Sequence, residues 1–458
     1  MVNIPAPPEW RGTSVQVCGL WPFSVGAGTP MIGVPMGNHL STMGAVCCDP
    51  LSWFQRGHLI NNPSAFLLGR PGLGKSSTAR RWVLGLAARG VHSMILGDLK
   101  PDYVDVVSAL GGQVISVGPG RGGLNPLDTG DALAVGAKIG GTVGRELIAD
   151  ARMRRLTMLS ALIQIVRGRG GVVTDREVTV LERCLEEWDR DHDGPPILSD
   201  VVAILDRAPH EVRQATLDRG DIGRYRDRVE DLQASLTALQ GNRLGAVFGR
   251  HTTVPMKVDR SVVFDVSSLE EASAEVQGAV LMSCWSYGFG GINTAQALTQ
   301  AGLAPQRNYF LVMDELWRAL RTGTGMVDRI DALTRLNRNF GVGQAMITHT
   351  MSDLQSMPNE EDKAKARGLV ERAGMVLTGG LPRSEMGMLS QVVPLSEAEQ
   401  SMVVSWSDPP PWSETSGQGQ APGLGRFLIK VGGRPGIPFQ LRLSRSEIGL
   451  HDTNKKWH

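Results

Sequence analysis

Gly69-Arg70-Pro71-Gly72-Leu73-Gly74-Lys75-Ser76 fills every fixed position of the pattern G-x-x-x-x-G-K-[ST]. The apolar run Ala65-Phe66-Leu67-Leu68 precedes it, and Ser77-Thr78-Ala79-Arg80-Arg81-Trp82-Val83-Leu84 follows with helical spacing. A buried strand before and a helix after are the context in which this pattern cradles phosphate. The chain therefore carries a nucleotide site.

The chemistry explains the residue types. Gly69, Gly72 and Gly74 let the backbone turn tightly and bring its N–H groups close to phosphate oxygens at the positive end of a helix. Lys75 is the mobile charge for the outer phosphates, and Ser76 offers a hydroxyl to Mg²⁺. The nucleotide-contacting set is thus Gly69, Arg70, Pro71, Gly72, Leu73, Gly74, Lys75, Ser76 and Ser77, with ATP and Mg²⁺ as the expected ligands.

Downstream, apolar β-type runs alternate with helical patterns, which predicts an α/β fold with a mainly parallel sheet. Strands are expected at 65–68, 93–96 and 113–117, then at 261–266, 309–313, 345–348 and 375–378, about seven in all. Upstream, residues 1–64 break into short apolar pieces among Gly and Pro, as small hairpins packed on the sheet would. The polar stretch Gly97-Asp98-Leu99-Lys100-Pro101-Asp102-Tyr103 falls at the end of the second strand, where such sheets keep their chemistry. Asp98 is a site candidate there, with a helix-cap or turn role as the plainer alternative.

Between 145 and 257 strand signals vanish. Leu156, Leu159, Ile163 and Val166 share a helical face, and Thr174-x-x-Glu177 opens a helix presenting Val178, Leu181, Leu185 and Trp188. More helical stretches cover 199–205 and 225–239. The expected organisation is 1–144 as N-terminal β segments plus the first half of a motor domain, 145–257 as an all-α insertion, and 258–458 as the second half with a C-terminal hairpin (426–431 and 439–443) and tail. Asp189-x-Asp191-x-Asp193-Gly194 mimics a calcium loop, but Pro195 and Pro196 occupy positions that need a free backbone, so a polar helix-to-helix linker is expected.

The strand Tyr309-Phe310-Leu311-Val312-Met313 ends in Asp314-Glu315. Asp314 would hold Mg²⁺ and Glu315 would polarise the attacking water, which argues for hydrolysis over mere binding. Arg335 and Arg338 lie late in a helical stretch at 327–339, where an arginine could stabilise charge on a transferring phosphoryl group. His349 follows the next apolar run and could contact the γ-phosphate or the water.

Composition narrows the class. The chain has 458 residues, 41% of them hydrophobic, and a net charge of +1, so no global field draws it to nucleic acid or membrane. Its five cysteines show no metal or redox spacing, which suits reduced thiols in a cytosol. Neither a signal segment nor an apolar run of spanning length is evident.

Together these residues resemble the conjugative-transfer ATPases of type IV secretion systems, the VirB/TraC-type large ATPases of the HerA/FtsK superfamily. The likeness covers nearly the whole chain. It rests on the phosphate loop, on 97–103 beside that family's Asp-Pro-Lys-Gly-Glu-Tyr, and on Ala109-Leu110-Gly111-Gly112 and Gly123-Leu124-Asn125-Pro126-Leu127-Asp128. It rests also on Asp314-Glu315-x-Trp317 and on the segment from Gly380-Leu381 to Leu395-Ser396. The resemblance implies a RecA-like core with a helical subdomain, working as a hexamer. It also implies that Arg338 reaches a neighbouring subunit's nucleotide and that His349 stands where the family has a glutamine sensor. Leu99 replaces the family's proline. The motor region begins almost at Met1, so docking to the channel is expected to use another subunit, or the chain to belong to a reduced branch.

The leading expectation is a cytoplasmic Mg²⁺-dependent ATPase motor of conjugation, a ring docked on secretion-channel subunits at the inner face of the membrane. One alternative is a DNA-translocating pump of FtsK or coupling-protein type, in which a loop carrying Arg152, Arg154 and Arg155 grips DNA. The other is a non-catalytic assembly subunit that binds ATP only to hold a ring together.

Overall fold

The structure is a computed structural model that describes residues 30–168, 171–320, 327, 341–357, 359–410 and 421–450, and the backbone of four two-residue strands outside or between them. Its frame is one eleven-stranded sheet. In chain order the strands are β1 Pro35–His39, β2 Ala45–Cys47, β3 Ser64–Leu68, β4 Val91–Asp98, β5 Gln113–Ser116, β6 Val262–Asp265, β7 Asn308–Met313, β8 Val342–Ile347, β9 Met375–Thr378, β10 Arg426–Lys430 and β11 Ile437–Leu441. Their order across the sheet is β2-β1-β11-β10-β9-β3-β8-β7-β4-β6-β5.

The seven expected strands, β3 to β9, form the parallel portion. The sheet is larger than expected because both hairpins join it. β10–β11 pairs antiparallel with β9, and β1–β2 extends the edge beyond β11. Short segments with one paired edge leave backbone groups unsatisfied, and lying against the sheet removes that cost.

Side chains in the central strands alternate between two cores. Ala65 and Leu67 join Ala79, Trp82, Val83 and Leu86 of helix α1 (Lys75–Ala87). Phe66 and Leu68 face the opposite side, with Leu281, Cys284 and Trp285 of the long helix Ala274–Gln300. Burial on both faces is why these strands read as unbroken apolar runs.

Between β5 and β6 the chain is helical. α2 Gly141–Arg167, α3 Asp175–Asp191, α4 Leu198–Arg207 and α5 Ile222–Gln240 are the longest elements there, with shorter helices around them. The Thr174–Glu177 capping box forms, and Leu181 and Leu185 are buried. Asp189 of the calcium-like stretch lies within α3 and is engaged by Arg155 Nη1 at 2.6 Å and Arg152 Nε at 3.4 Å.

The same pairs correct the expectation of a DNA-gripping loop. Arg152, Arg154 and Arg155 lie on α2, where Arg155 is buried and Arg154 is paired with Asp150 one turn away. A buried arginine needs a carboxylate partner, and here that need joins two helices. No helix among the described residues is long and apolar enough to cross a membrane.

Candidate nucleotide site

Strand order decides what meets here. β8 lies between β3 and β7, with Met346 in register with Phe66 on one side and Met313 on the other. Because these strands are parallel, their carboxyl ends bring the 69–76 loop, His349 and Asp314-Glu315 into one row. β4 adds the 98–103 turn beyond β7.

The loop has the conformation its glycines require. Gly72 and Gly74 have φ of 79° and 97°, where a side chain would be strained. Neighbouring strand ends brace it: Gly69 N–H donates to the His349 carbonyl at 3.0 Å, and Arg70 N–H to that of Gly380 at 3.0 Å. From the C-terminal hairpin, Gly425 N–H donates to Leu73 O at 3.0 Å. Lys75 folds back over the loop, its Nζ donating to Gly69 O at 2.6 Å and Arg70 O at 3.2 Å. Burial pulls the Lys75 ammonium down to about 8, against the opposing charges of Asp314 and Glu315. An anion at the loop would favour the ammonium form and raise it again.

Across from the lysine, Asp314 is held by the Tyr103 hydroxyl at 2.8 Å and the Glu315 N–H at 2.8 Å. Burial, with the Glu315 charge next, raises its carboxyl above the ordinary range. Among the described residues no lysine or arginine pairs with it, so a cation would relieve a real electrostatic cost. Ser76 stands in the first turn of α1, near the Asp102 carboxyl, which burial raises above its ordinary range. Hydroxyl and carboxylate oxygens are the hard donors Mg²⁺ takes, with phosphate and water completing its shell. No group of three or more His, Cys, Asp or Glu placed to hold a metal occurs among the described residues, so an ion here would depend on those further oxygens.

Glu315 is the most constrained residue of the site. Its φ of 52° is left-handed, a conformation costly for a long side chain and typical of functional positions. Lys100 Nζ donates to Oε1 at 3.1 Å, while Oε2 takes Trp317 Nε1 at 2.7 Å and faces Arg318 Nε at 3.4 Å and His349 Nε2 at 3.5 Å. Burial acts to raise its carboxyl, but His349, Lys100 and Arg318 outweigh that and hold it far below the ordinary range.

Lys75, Ser76, Asp314, Glu315 and His349 are therefore brought together, as the sequence suggests. The His349 ring faces Glu315, and its Nδ1 is buried without a partner among the described residues. Asp98 has the plainer role: its buried carboxylate accepts the N–H groups of Asp102 at 3.0 Å and Tyr103 at 2.8 Å, fixing the turn that aims Tyr103 at Asp314. Arg335 and Arg338 lie outside the described residues. Lys100, Tyr103 and Arg318 were not singled out from the sequence. The first two stood in the quoted 97–103 stretch, but only the pairing of β4 with β7 shows what they touch.

The fold and this arrangement define a RecA-like P-loop α/β protein. The chain superposes on the solved structure of VirB4 of Thermoanaerobacter pseudethanolicus with a TM-score of 0.66, over 91% of this chain and 98% of that one, at 19% identity. It superposes on the plasmid coupling protein TrwB in complex with the non-hydrolysable ATP analogue ADPNP with a TM-score of 0.50, over 84% of this chain and 86% of that one, at 12% identity. No protein-family model matches the chain, and no curated protein matches it in sequence. At these identities the likeness is one of fold.

Proposed function

We propose that the chain is an ATP-hydrolysing motor subunit for conjugative transfer or type IV secretion, working as a ring, most simply a hexamer, at the inner face of a membrane. The observation that carries this reading is the convergence of Lys75, Ser76, Asp314, Glu315 and His349 at neighbouring strand ends of a fold shared with VirB4. ATP is the favoured nucleotide because TrwB, with the same fold, was solved with an ATP analogue. Residues 145–257 are proposed as a helical subdomain inserted between the halves 1–144 and 258–458 of the motor.

In this reading the loop N–H groups and Lys75 hold the phosphates. Ser76 and Asp314 would hold Mg²⁺, which supplies charge neutralisation of the transferring group. Tyr103 and the Asp98 turn keep Asp314 aimed. Glu315, with its depressed pKa, is a weak base and acts mainly by orienting and polarising water. His349 positions that carboxylate, and Arg338 of a neighbouring subunit would reach the phosphates.

The coupling-protein alternative shares the fold but loses its DNA-gripping loop, since Arg155 and Arg154 are engaged within the helices. Turnover measured with and without duplex and single-stranded DNA, and with Mg²⁺ chelated, tests both. A secretion motor loses turnover on chelation and gains little from DNA. Stimulation of tenfold or more by DNA would move the assignment to a DNA pump.

A further inference from the structure

Glu315 Oε2 accepts from Trp317 Nε1 and Arg318 Nε and lies 3.5 Å from His349 Nε2, whereas Oε1 accepts, among the described residues, from Lys100 Nζ alone. Each carboxylate oxygen offers about two lone-pair directions, so Oε2 is filled and Oε1, on which Lys100 rests, is the oxygen that can serve a water molecule. In the reading proposed above, on which this inference rests, Lys100 occupies the oxygen through which Glu315 would orient water.

The groups on Oε2 are held from elsewhere, Trp317 and Arg318 by their side chains and His349 by its backbone. Trp317 sits two residues along the same turn, and its indole is under the Arg318 guanidinium at 4.8 Å. Arg318 is tied on its other side to Gln277 Oε1 at 2.5 Å. His349 is anchored through its own carbonyl by Gly69 N–H at 3.0 Å.

Lys100 differs from all of these. Its side chain is 49% exposed, and a flexible stem carries a compact charge with three donors. Its backbone is fixed at the lip of the site by buried Leu99 on one side and by the Asp98 turn on the other. The Lys100 charge also bears unfavourably on Lys75, so two ammonium groups look onto one space. Such a pair makes physical sense opposite a polyanion.

We propose that Lys100 is a terminal-phosphate ligand that rests on Glu315 and is exchanged to the γ-phosphate of a bound nucleoside triphosphate. The exchange gives Glu315 a free oxygen only when the third phosphate is present. A diphosphate does not reach Lys100, and Glu315 stays held. The lysine thereby couples recognition of the triphosphate to readiness of the carboxylate.

The test is binding to the full chain, by calorimetry with Mg²⁺, of ADP and of a non-hydrolysable ATP analogue. The wild type is expected to prefer the analogue. Lys100→Met is expected to lose about tenfold or more of that preference, the worth of a charge-assisted hydrogen bond, with ADP affinity changed less than twofold; Lys100→Arg should recover part of it. Glu315→Gln should increase the preference by weakening the resting contact, and that gain should disappear in the Lys100→Met background. An analogue-to-ADP ratio unchanged in Lys100→Met, or a Glu315→Gln gain that persists without the lysine, would overturn the proposal and leave Lys100 a structural partner of Glu315. A wild type that binds neither nucleotide would overturn the nucleotide-site reading itself, and this inference with it.

Discussion

Lys75 is pulled two ways, by burial toward neutrality and by Asp314 and Glu315 toward charge, and burial prevails at about 8. The sign of the consequence follows. Below that pH the ammonium is present and its attraction for phosphate is complete. Above it the free protein must take up a proton to bind. Nucleotide affinity should therefore fall as pH rises through about 8, by at most about tenfold per pH unit, and calorimetry in buffers of different ionisation heat should register proton uptake. Lys75→Met should bind more weakly with no such dependence. At Asp314 the direction is reversed: its raised pKa means that protons compete with Mg²⁺ above the ordinary carboxylate range as pH falls. Tyr103→Phe removes a hydrogen bond that favours the ionised form. Mg²⁺ affinity, measured by titration at constant pH, should drop by about five- to tenfold, corresponding to roughly 1 kcal/mol, with the melting temperature little changed. The loop, Asp314 and Glu315 were legible in the sequence because their pattern is local. Lys100 was not, because its partner is 215 residues away and the contact exists only once β4 lies beside β7.

At the scale of elements, periodicity is the legible part. Both-sided burial made the seven parallel strands visible, and the Thr174–Glu177 box marked the start of α3. The hairpins' place in the sheet was not visible, since backbone pairing carries no side-chain signature. The arginines at 152, 154 and 155 were misread as a loop because their charges mask the helical period of α2, and because Asp189, which satisfies two of them, lies on another helix. Arg155→Ala should therefore destabilise the protein by about 3–5 kcal/mol, seen as a lower denaturant midpoint, because Asp189 keeps only its longer contact with Arg152. At the end of the short helix His210–Thr216, exposed Leu217 adopts φ 58°. Leu217→Gly should stabilise by about 1 kcal/mol, since glycine takes that conformation without a Cβ penalty and little packing is lost. Gly425 braces the phosphate loop with φ of 70°, and an added Cβ would come within 2.9 Å of Gln440. Gly425→Val should weaken nucleotide binding through a shifted Leu73 while leaving the sheet cores intact, a separation that binding and thermal melts would show.

Across the whole molecule, the eleven-stranded sheet sets every proposed reactive group among the described residues along the carboxyl ends of adjacent strands. The site so built has a loop for phosphates, hard oxygens for a cation and a restrained carboxylate for water. A net charge of +1 provides no general attraction for nucleic acid. If subunits share sites in a ring, assembly should govern turnover. In the proposed reading this site hydrolyses ATP through Glu315 within such a ring. Steady-state ATP hydrolysis of the purified chain across protein concentration, beside Glu315→Gln and Arg338→Ala, tests it most directly. The rate per subunit should rise with concentration and fall at least a hundredfold, about 2.7 kcal/mol of barrier, in Glu315→Gln, with a loss in Arg338→Ala as well. ATP bound by assembled protein with no turnover, or turnover that Glu315→Gln leaves unchanged, would contradict it.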